Sequence, residues 1–165
     1  MPDRETIERA REDKRRGRAA STQAGEFVKE EMDHIREGKH GARSTKQAIA
    51  IGLSKVRRAG VNLRAPAKGK ASAQTRRSAK SALRRGRTRQ RPSARRSRAV
   101  LGALRREGRS AASKESLARQ ARRSATRRGP RARSAAAMKA VRTKGPHGRS
   151  MAARKAARTR ARRIA

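Results

Sequence analysis

In residues 21–37, apolar side chains recur at helical spacing, and the charged side chains lie away from the centre of the apolar face. Residues three and four positions apart share one face of an α-helix. The pattern predicts an amphipathic helix that ends at Gly38, because glycine readily adopts the left-handed conformation that follows many helices. The apolar face consists of Phe27, Val28, Met32 and Ile35.

A second helix is predicted over residues 45–59, with signals at both ends. Ser44 can cap its start, and Gln47 stands three residues later, which is the spacing of a capping box. Gly60 and Val61 follow its last turn, as a Schellman ending requires. Its apolar face consists of Ile49, Leu53 and Val56.

These two helices and the short turn 38–43 predict an all-α fold with a helix-turn-helix hairpin over residues 21–63. Residues 1–20 mix acids and bases at helical spacing and predict a charged helical arm. A hairpin of this size buries little apolar surface. We therefore expect it either to fold with its ligand or to form a homodimer through Phe27, Val28, Ile49 and Leu53.

The remaining segment, residues 64–165, contains only nine large apolar side chains among Arg, Ala, Ser, Gly and Lys. Ordering the backbone costs about 1–2 kcal/mol per residue, which so few apolar side chains do not offset. The segment is predicted to be a basic tail without a core, disordered or transiently helical. Fragments that can become helical when phosphates neutralise them lie at 97–107, 113–128, 132–144 and 149–164.

Charge is distributed very unevenly along the chain. The first 37 residues hold ten of the twelve acids, whereas the other 128 residues hold 41 Lys or Arg and only two acids, Glu107 and Glu115. Such a chain repels itself unless an anion neutralises it, and the most abundant cellular polyanions are DNA and RNA. The sequence therefore predicts a nucleic-acid partner. Duplex DNA is favoured over RNA as that partner, and a single aromatic residue cannot stack a series of bases from a single strand.

Candidate phosphate contacts lie in the hairpin and in the tail. The hairpin turn is basic and precedes the N-terminus of helix 45–59, where free amides and the helix dipole attract anions. The hairpin candidates are Lys39, His40, Arg43, Ser44, Lys46, Lys55, Arg57 and Arg58. The tail candidates are the Arg pairs Arg84 and Arg85, Arg105 and Arg106, and Arg127 and Arg128.

Other classes of protein are not expected. There is no Cys, and His34, His40 and His147 lack the spacing of a metal motif. We expect no metal, no cofactor, no small-molecule substrate and no enzymatic activity. The longest apolar run, residues 48–53, is far shorter than the roughly 20 residues that span a bilayer, so no membrane association is expected. The predicted location is the cytoplasm, on the nucleoid.

Residues 27–59 resemble a small bacterial family of unassigned function. The resemblance lies in an acidic-apolar helix with a Gly-Lys turn, Met32–Lys39, and in the Lys-Gln-Ala-Ile-Ala-Ile helix, Lys46–Ser54. Relatives in that family carry DNA-binding or plasmid-stabilisation labels, although their turn is longer than Lys39–Arg43. The tail is similar in composition to bacterial histone H1-like arms, but it is rich in Arg and Ser where those arms are rich in Lys, Ala and Pro.

These features together predict a non-specific, histone-like DNA-binding protein of the nucleoid that acts by neutralising phosphates. Two alternatives belong to other classes. One is an RNA- or ribosome-associated basic protein, since basic tails also thread through structured RNA. The other is a protein-interaction module, in which helix 21–37 recruits a partner and the polycationic tail localises it.

Overall fold

The computed structural model describes residues 2–88 and 93–164; residues 89–92 and 165 of the predicted tail lie outside the described part. The described residues form α-helices and no strand, which confirms the predicted all-α class. A three-residue 3-10 turn lies at Ser110–Ala112. The helices are α1 (Arg4–Arg15), α2 (Ala20–Arg36), α3 (Thr45–Arg58), α4 (Ala73–Thr88), α5 (Ala94–Arg105), α6 (Lys114–Arg127) and α7 (Gly129–Ile164).

The start of α3 follows the capping-box pattern. Ser44 Oγ accepts a hydrogen bond from the Gln47 backbone N–H at 3.3 Å. Gln47 Oε1 in turn accepts from the Arg43 backbone N–H at 2.8 Å. The first bond is the one that a capping box predicts. In the second bond the donor is Arg43, one residue before the cap, where a capping box uses the backbone N–H of the cap residue itself.

The end of α3 is a Schellman motif. Gly60 has a φ of 87°, and its N–H donates to the Arg57 carbonyl at 3.2 Å. The N–H of Val61 donates to the Val56 carbonyl at 3.3 Å, and both valine side chains belong to the same apolar cluster. The sequence signals at the two ends of α3 thus correspond to a capped helix start and a Schellman ending.

Two apolar clusters form the core. One is built on Met32, Ile35, Ala42, Ala48, Ala111 and Ala112, with Val28, Ile49 and Leu117 packed against it. The other is built on Ala10, Ala24, Phe27 and Val56, with Ile7, Leu53, Val61 and Leu63 packed against it. Every residue predicted for the hairpin core lies in one of these clusters: Phe27, Val28, Met32, Ile35, Ile49, Leu53 and Val56.

Close contact between α2 and α3 depends on a glycine. A Cβ atom at Gly52 would lie 2.9 Å from Val28 Cα and 3.1 Å from the Phe27 carbonyl oxygen. Contacts of this length involve backbone atoms, which cannot swing away as a flexible side chain can. Glycine therefore allows the two helix backbones to approach more closely than any other residue would.

The N-terminal helix α1 packs on the hairpin instead of extending as a charged arm. Ile7 and Ala10 lie in the cluster that contains Phe27, and Arg9 Nε forms a 2.7 Å ion pair with Glu26 of α2. The small side chain of Ala10 lets α1 approach α2, and it is only 3% exposed. Opposite charges between the two helices then reinforce an apolar contact.

The predicted disorder of the tail is wrong, because the described tail residues are mainly helical. Helices α5 and α6 and both halves of α7 match the fragments predicted to be capable of helix formation, whereas α4 was not predicted. Gly145, with a φ of 63°, interrupts α7 just before Pro146. Ala and Arg, which dominate the tail, have high helix propensity, and this favours local helix without a large apolar core.

The chain divides into two compact units, Met1–Gln120 and Ala121–Ala165, with the boundary inside α6. The first unit contains both apolar clusters and extends well beyond the predicted hairpin. In the second unit no described residue is buried, and the side chains from 130 to 162 other than Gly145 and Gly148 are exposed. The prediction that residues 64–165 have no core of their own therefore holds for the described part of this unit, whereas residues 111 and 112 lie in the core of the first unit.

The face predicted for a homodimer is largely covered within the first unit. Phe27 is 1% exposed and packs with Ala10 of α1, while Val28 and Ile49 pack against the cluster that contains Ala111. Intramolecular contacts therefore occupy the apolar surface that a second copy would need. The physical reason is that α1 and the 3-10 turn supply the area that the isolated hairpin lacks.

Replacing Gly52 tests the close approach of α2 and α3. We expect Gly52→Ala to lower the free energy of unfolding by about 1–3 kcal/mol, because the added methyl group overpacks the contact. Gly25→Ala on α2 is the control, since no atom lies within 4 Å of the position of its Cβ. That substitution should raise the free energy of unfolding by about 0.5–1 kcal/mol. Urea unfolding measures both values, and equal effects would contradict the packing.

The helical tail makes a second prediction, about the free protein in dilute buffer. Far-ultraviolet circular dichroism should show a predominantly helical chain, near the 78% found for the described residues, before any nucleic acid is added. Addition of duplex DNA, after subtraction of the DNA signal, should change the helix content little. A coil spectrum that becomes helical only with DNA would instead support folding on binding.

Candidate nucleic-acid interface

The hairpin turn, predicted as a phosphate site, is covered by a later segment of the same chain. The backbone N–H of Gly41 donates to the Leu104 carbonyl at 2.9 Å, and that of Ala42 donates to the Gly108 carbonyl at 3.0 Å. A Cβ atom at Gly41 would collide with the Glu107 carbonyl group. These two turn amides are therefore not free to bind a phosphate.

The 3-10 turn Ser110–Ala112 continues this cover over the helix ends. Thr45 Oγ1 donates to the Ala111 carbonyl at 2.7 Å, and Arg36 Nε donates to the Ala112 carbonyl at 3.1 Å. Ala111 and Ala112 are 5% and 0% exposed. The start of α3 and the end of α2 thus bind a segment that the sequence assigned to the free tail.

Lys55 belongs to a buried ion-pair network and not to the exposed basic surface. Its Nζ atom lies 3.0 Å from Glu30 Oε1 and 2.7 Å from Glu31 Oε2. Burial lowers the pKa of Lys55, but hydrogen bonds and charges of Glu31 and then Glu30 outweigh it, so the pKa is raised overall. The ammonium group is charged and paired with two carboxylates, which removes it from the phosphate candidates.

Arg57 is likewise occupied within the protein. Its Nε atom donates to the Leu63 carbonyl at 3.1 Å and its Nη1 atom to the Leu53 carbonyl at 3.2 Å. Arg57 is 8% exposed, and burial lowers its pKa. Its guanidinium group holds the segment after α3 against the helix, a structural role that the sequence pattern did not reveal.

Two further hairpin candidates have partners of their own. His40 Nε2 lies 3.4 Å from Glu31 Oε1, and the histidine side chain is 9% exposed. Lys39 is exposed but forms a 3.0 Å ion pair with Glu37. The predicted contacts that the structure leaves exposed are Arg43, Ser44, Lys46, Arg58, Arg84, Arg105, Arg106, Arg127 and Arg128, while Arg85 is half-buried.

Helix α4, which the sequence did not predict, presents a row of cations. It packs on α3 through small residues, and a Cβ atom at Gly86 would collide with the Arg57 carbonyl. The packed face includes Ala79 and Ala82, which are buried. On the side of α4 that faces away from α3, basic residues follow one another at spacings of three and four, which places them on one face of the helix. This α4 basic row consists of Arg77, Lys80, Arg84 and Arg87, all exposed.

Arg58 and Arg85 place two positive charges near each other where α3 and α4 meet. Arg58 is exposed, yet partial desolvation of its guanidinium group lowers its pKa, and the charge of Arg85 lowers it further. Two neighbouring like charges favour a bound anion, because an anion relieves their repulsion. This pair extends the positive surface from α4 to the end of α3.

In the second unit, helix α7 carries positive charge on all sides. Residues 129–164 include twelve Lys or Arg and no acid. The described side chains between 130 and 162 are exposed apart from two glycines. The large apolar side chains Met138, Val141 and Met151 are exposed as well. The described part of α7 therefore buries no face, and its repelling charges face solvent.

Ion pairs of the described residues are confined to one part of the chain. Every such pair lies between residues 3 and 55. From Arg57 onward, no described Lys or Arg forms an ion pair with a carboxylate. The acids therefore neutralise bases of α1 and α2, Lys39 of the hairpin turn and Lys55 of α3. The described bases of α4–α7 have no carboxylate within ion-pair distance.

A carboxylate and histidine cluster lies at the acidic end of the first unit. One group of possible ligands is Glu31, His34 and His40, and a second is Asp3, Glu30 and His34. In each group the ligand atoms lie within 4.8 Å of one another. No spacing in the sequence indicates this cluster, because the end of α2 separates His34 from His40 and only the bend of the chain brings them together.

The chain matches no protein-family model, no curated protein and no solved structure. The Lys-Gln-Ala-Ile-Ala-Ile segment lies on α3, and the resemblance carried by it stays a prediction. No helix in the described part of the chain is long and apolar enough to cross a membrane.

Removal of the Lys55 charge should destabilise the first unit. We expect Lys55→Met to lower the free energy of unfolding by about 3–5 kcal/mol, because it leaves Glu30 and Glu31 buried without their cation. The raised pKa means that the contribution of Lys55 is complete below its ordinary pKa of 10.5 and is lost as pH rises beyond the raised value. The difference in the free energy of unfolding between Lys55→Met and wild type should therefore become smaller at the highest pH.

A matched lysine distinguishes the buried pair from a general charge effect. Lys29 lies on α2 but is exposed. Lys29→Met therefore removes the same charge, but no buried carboxylate loses its cation. Its free energy of unfolding should stay within about 0.5 kcal/mol of wild type. Equal losses for the two variants, measured by urea unfolding, would show that Lys55 has no special structural role.

Proposed function

We propose that this protein binds duplex DNA without sequence specificity and coats or compacts it in the nucleoid by neutralising phosphates. The observation that carries the proposal is the segregation of ion pairs: the described bases from Arg57 onward have no carboxylate partner. Uncompensated cations release the counterions of DNA on binding, and this release supplies most of the free energy of non-specific binding.

The α4 basic row provides a defined part of this surface. Its four cations, from Arg77 to Arg87, extend over about 15 Å at 1.5 Å per residue. The same length of duplex carries about nine phosphates at one charge per ~1.7 Å. Four side chains on one face of a packed helix can therefore contact several phosphates without any disordered segment having to fold.

The acidic end of the chain supports an oriented mode of binding. Residues 1–37 have nine bases and ten acids, and most of these acids form ion pairs with neighbouring bases, as Glu26 does with Arg9. This end therefore attracts phosphates weakly. The contrast with α4 and α7 means that the basic surfaces, and not the acidic end, face the nucleic acid.

Little in the structure suits the reading of base sequence. The start of α3 is covered by the 3-10 turn, and the one aromatic residue, Phe27, is buried. Base readout requires exposed polar side chains on an element that enters a groove, or aromatic side chains that stack on bases. Exposed Arg and Lys side chains can contact phosphates along a duplex of any base sequence.

Salt dependence of binding to a random-sequence duplex tests the proposal. Full-length protein should bind with a steep log–log slope against salt concentration, because each neutralised phosphate contributes about −0.9 to the slope. The quadruple variant R77Q/K80Q/R84Q/R87Q should weaken binding and make the slope shallower by up to about 3.6. Fluorescence anisotropy at several salt concentrations gives both quantities.

A control variant removes the same charge from the acidic end. Arg4, Arg11, Lys14 and Lys29 are exposed, and R4Q/R11Q/K14Q/K29Q should change the slope by less than about one unit, which corresponds to a single phosphate contact. Equal effects of the two quadruple variants would mean that net charge alone governs binding. The α4 basic row would then not be a binding surface.

Competition between duplex DNA and a structured RNA of equal charge distinguishes the two nucleic acids. The proposal expects the duplex to compete at least as well as the RNA at matched salt concentration. A tenfold preference for RNA would replace the proposal with the RNA-associated alternative. Specific readout of RNA commonly uses exposed aromatic side chains that stack on unpaired bases. The one aromatic side chain of this protein, Phe27, is buried.

A further inference from the structure

A buried site lies where the end of α2, the hairpin turn and the N-terminus meet. Glu31 and His34 are three residues apart on α2, and His40 follows in the turn. Ligand atoms of these three residues all lie within 4.8 Å of one another. Two imidazoles and one carboxylate converging at this distance form a set that commonly binds a transition metal.

Glu31 carries buried oxygens with unused capacity to accept hydrogen bonds. The residue is 0% exposed. Its Oε2 atom is paired with Lys55, but within the described part of the chain its Oε1 atom has no donor in hydrogen-bonding geometry. Lys55 Nζ lies 2.7 Å from Oε2, and His40 Nε2 lies 3.4 Å from Oε1. One oxygen thus faces the lysine, and the other faces the imidazole, where a metal ion would be bound.

The charge of the site matches a divalent cation. Asp3, Glu30 and Glu31 supply three negative charges around His34, and Lys55 supplies one positive charge. Lys39 forms a 3.0 Å ion pair with Glu37 and does not compensate this charge. Imidazoles that bind a metal are neutral, so the buried carboxylates of Glu30 and Glu31 exceed Lys55 by one negative charge, and Asp3 adds a second, largely exposed one. Unbalanced charge at a buried site is costly.

His34 is oriented by a second carboxylate. Its Nε2 atom lies 3.1 Å from Asp3 Oδ2, while Nδ1 lies on the side of Glu30, at 4.0 Å from its Oε1. A histidine that binds a metal through one nitrogen usually donates the N–H of the other to a carboxylate or carbonyl. Asp3 therefore occupies the position of a residue that supports a ligating histidine.

We propose that Glu31, His34 and His40 bind a divalent transition metal, with Zn²⁺ as the reference ion and Asp3 positioning His34. Imidazole ligands favour zinc, cobalt, nickel and copper over magnesium and calcium, which prefer oxygen ligands. The side chains of His34 and His40 are 12% and 9% exposed. A metal enclosed in this way acts structurally, by holding the turn that receives the segment 104–112.

Titration of full-length protein with Zn²⁺ after treatment with a chelator tests the site. Calorimetry should show one tightly bound equivalent, and the midpoint of thermal unfolding should rise with Zn²⁺ concentration. Co²⁺ should give the visible absorption of a coordinated ion, and Mg²⁺ should not compete. His40→Asn should weaken Zn²⁺ binding at least tenfold. His147→Asn is the control, because His147 is exposed in the other unit and its removal should leave affinity unchanged.

Asp3→Asn keeps the test valid if His40→Asn fails to fold. The Asp3 side chain is 58% exposed, so its replacement should leave the circular dichroism spectrum of the metal-free protein unchanged and weaken Zn²⁺ binding about tenfold. The proposal is overturned if no equivalent binds with micromolar affinity. It is also overturned if His147→Asn weakens binding as much as His40→Asn does. DNA binding at constant salt is a separate readout, so either proposal can fail alone.

Discussion

The fold depends on the buried ion pair between α2 and α3. Glu30 and Glu31 occupy consecutive positions of α2 and are 5% and 0% exposed, and Lys55 of α3 lies within 3.0 Å of both carboxylates. Buried carboxylates persist only when a cation or several donors stabilise them. The pair therefore specifies how α3 lies on α2. The same two carboxylates also face histidines: Glu30 Oε1 lies 4.0 Å from His34 Nδ1, and Glu31 Oε1 lies 3.4 Å from His40 Nε2.

Use of the acids inside the fold explains the character of the surface. Most acids lie before Gly38, and the ion pairs they form hold α1 to α2, hold α2 to α3 and neutralise bases near the acidic end. Few acids remain for the forty-one bases of the rest of the chain. Helices α4 and α7 consequently present positive charge that only an external anion can neutralise, which connects the packing of the first unit to the proposed binding of DNA.

Small residues let the chain build a compact unit from few large apolar side chains. Gly52 allows α3 to pack closely on α2, and Gly86 allows α4 to pack closely on α3. Gly41 leaves room for the backbone of the segment around Glu107. Ala111 and Ala112 fill the space beside Ile35 in the core. Close backbone contact gains dispersion energy and hydrogen bonds without bulky side chains. A count of large apolar residues therefore underestimated how much of the tail is ordered.

Local signals in the sequence were sufficient for the helices of the hairpin, because capping, apolar periodicity and the Gly60 ending act over a few residues. The predicted core residues also lie in the two clusters, since periodicity defines the buried face of each helix. The residues that cover each buried face are distant in sequence, as Ala111 is from Thr45. Local patterns carry no information about such contacts. Only the tertiary structure could show that Lys55 and Arg57 are internal, and that His34 and His40 meet at Glu31.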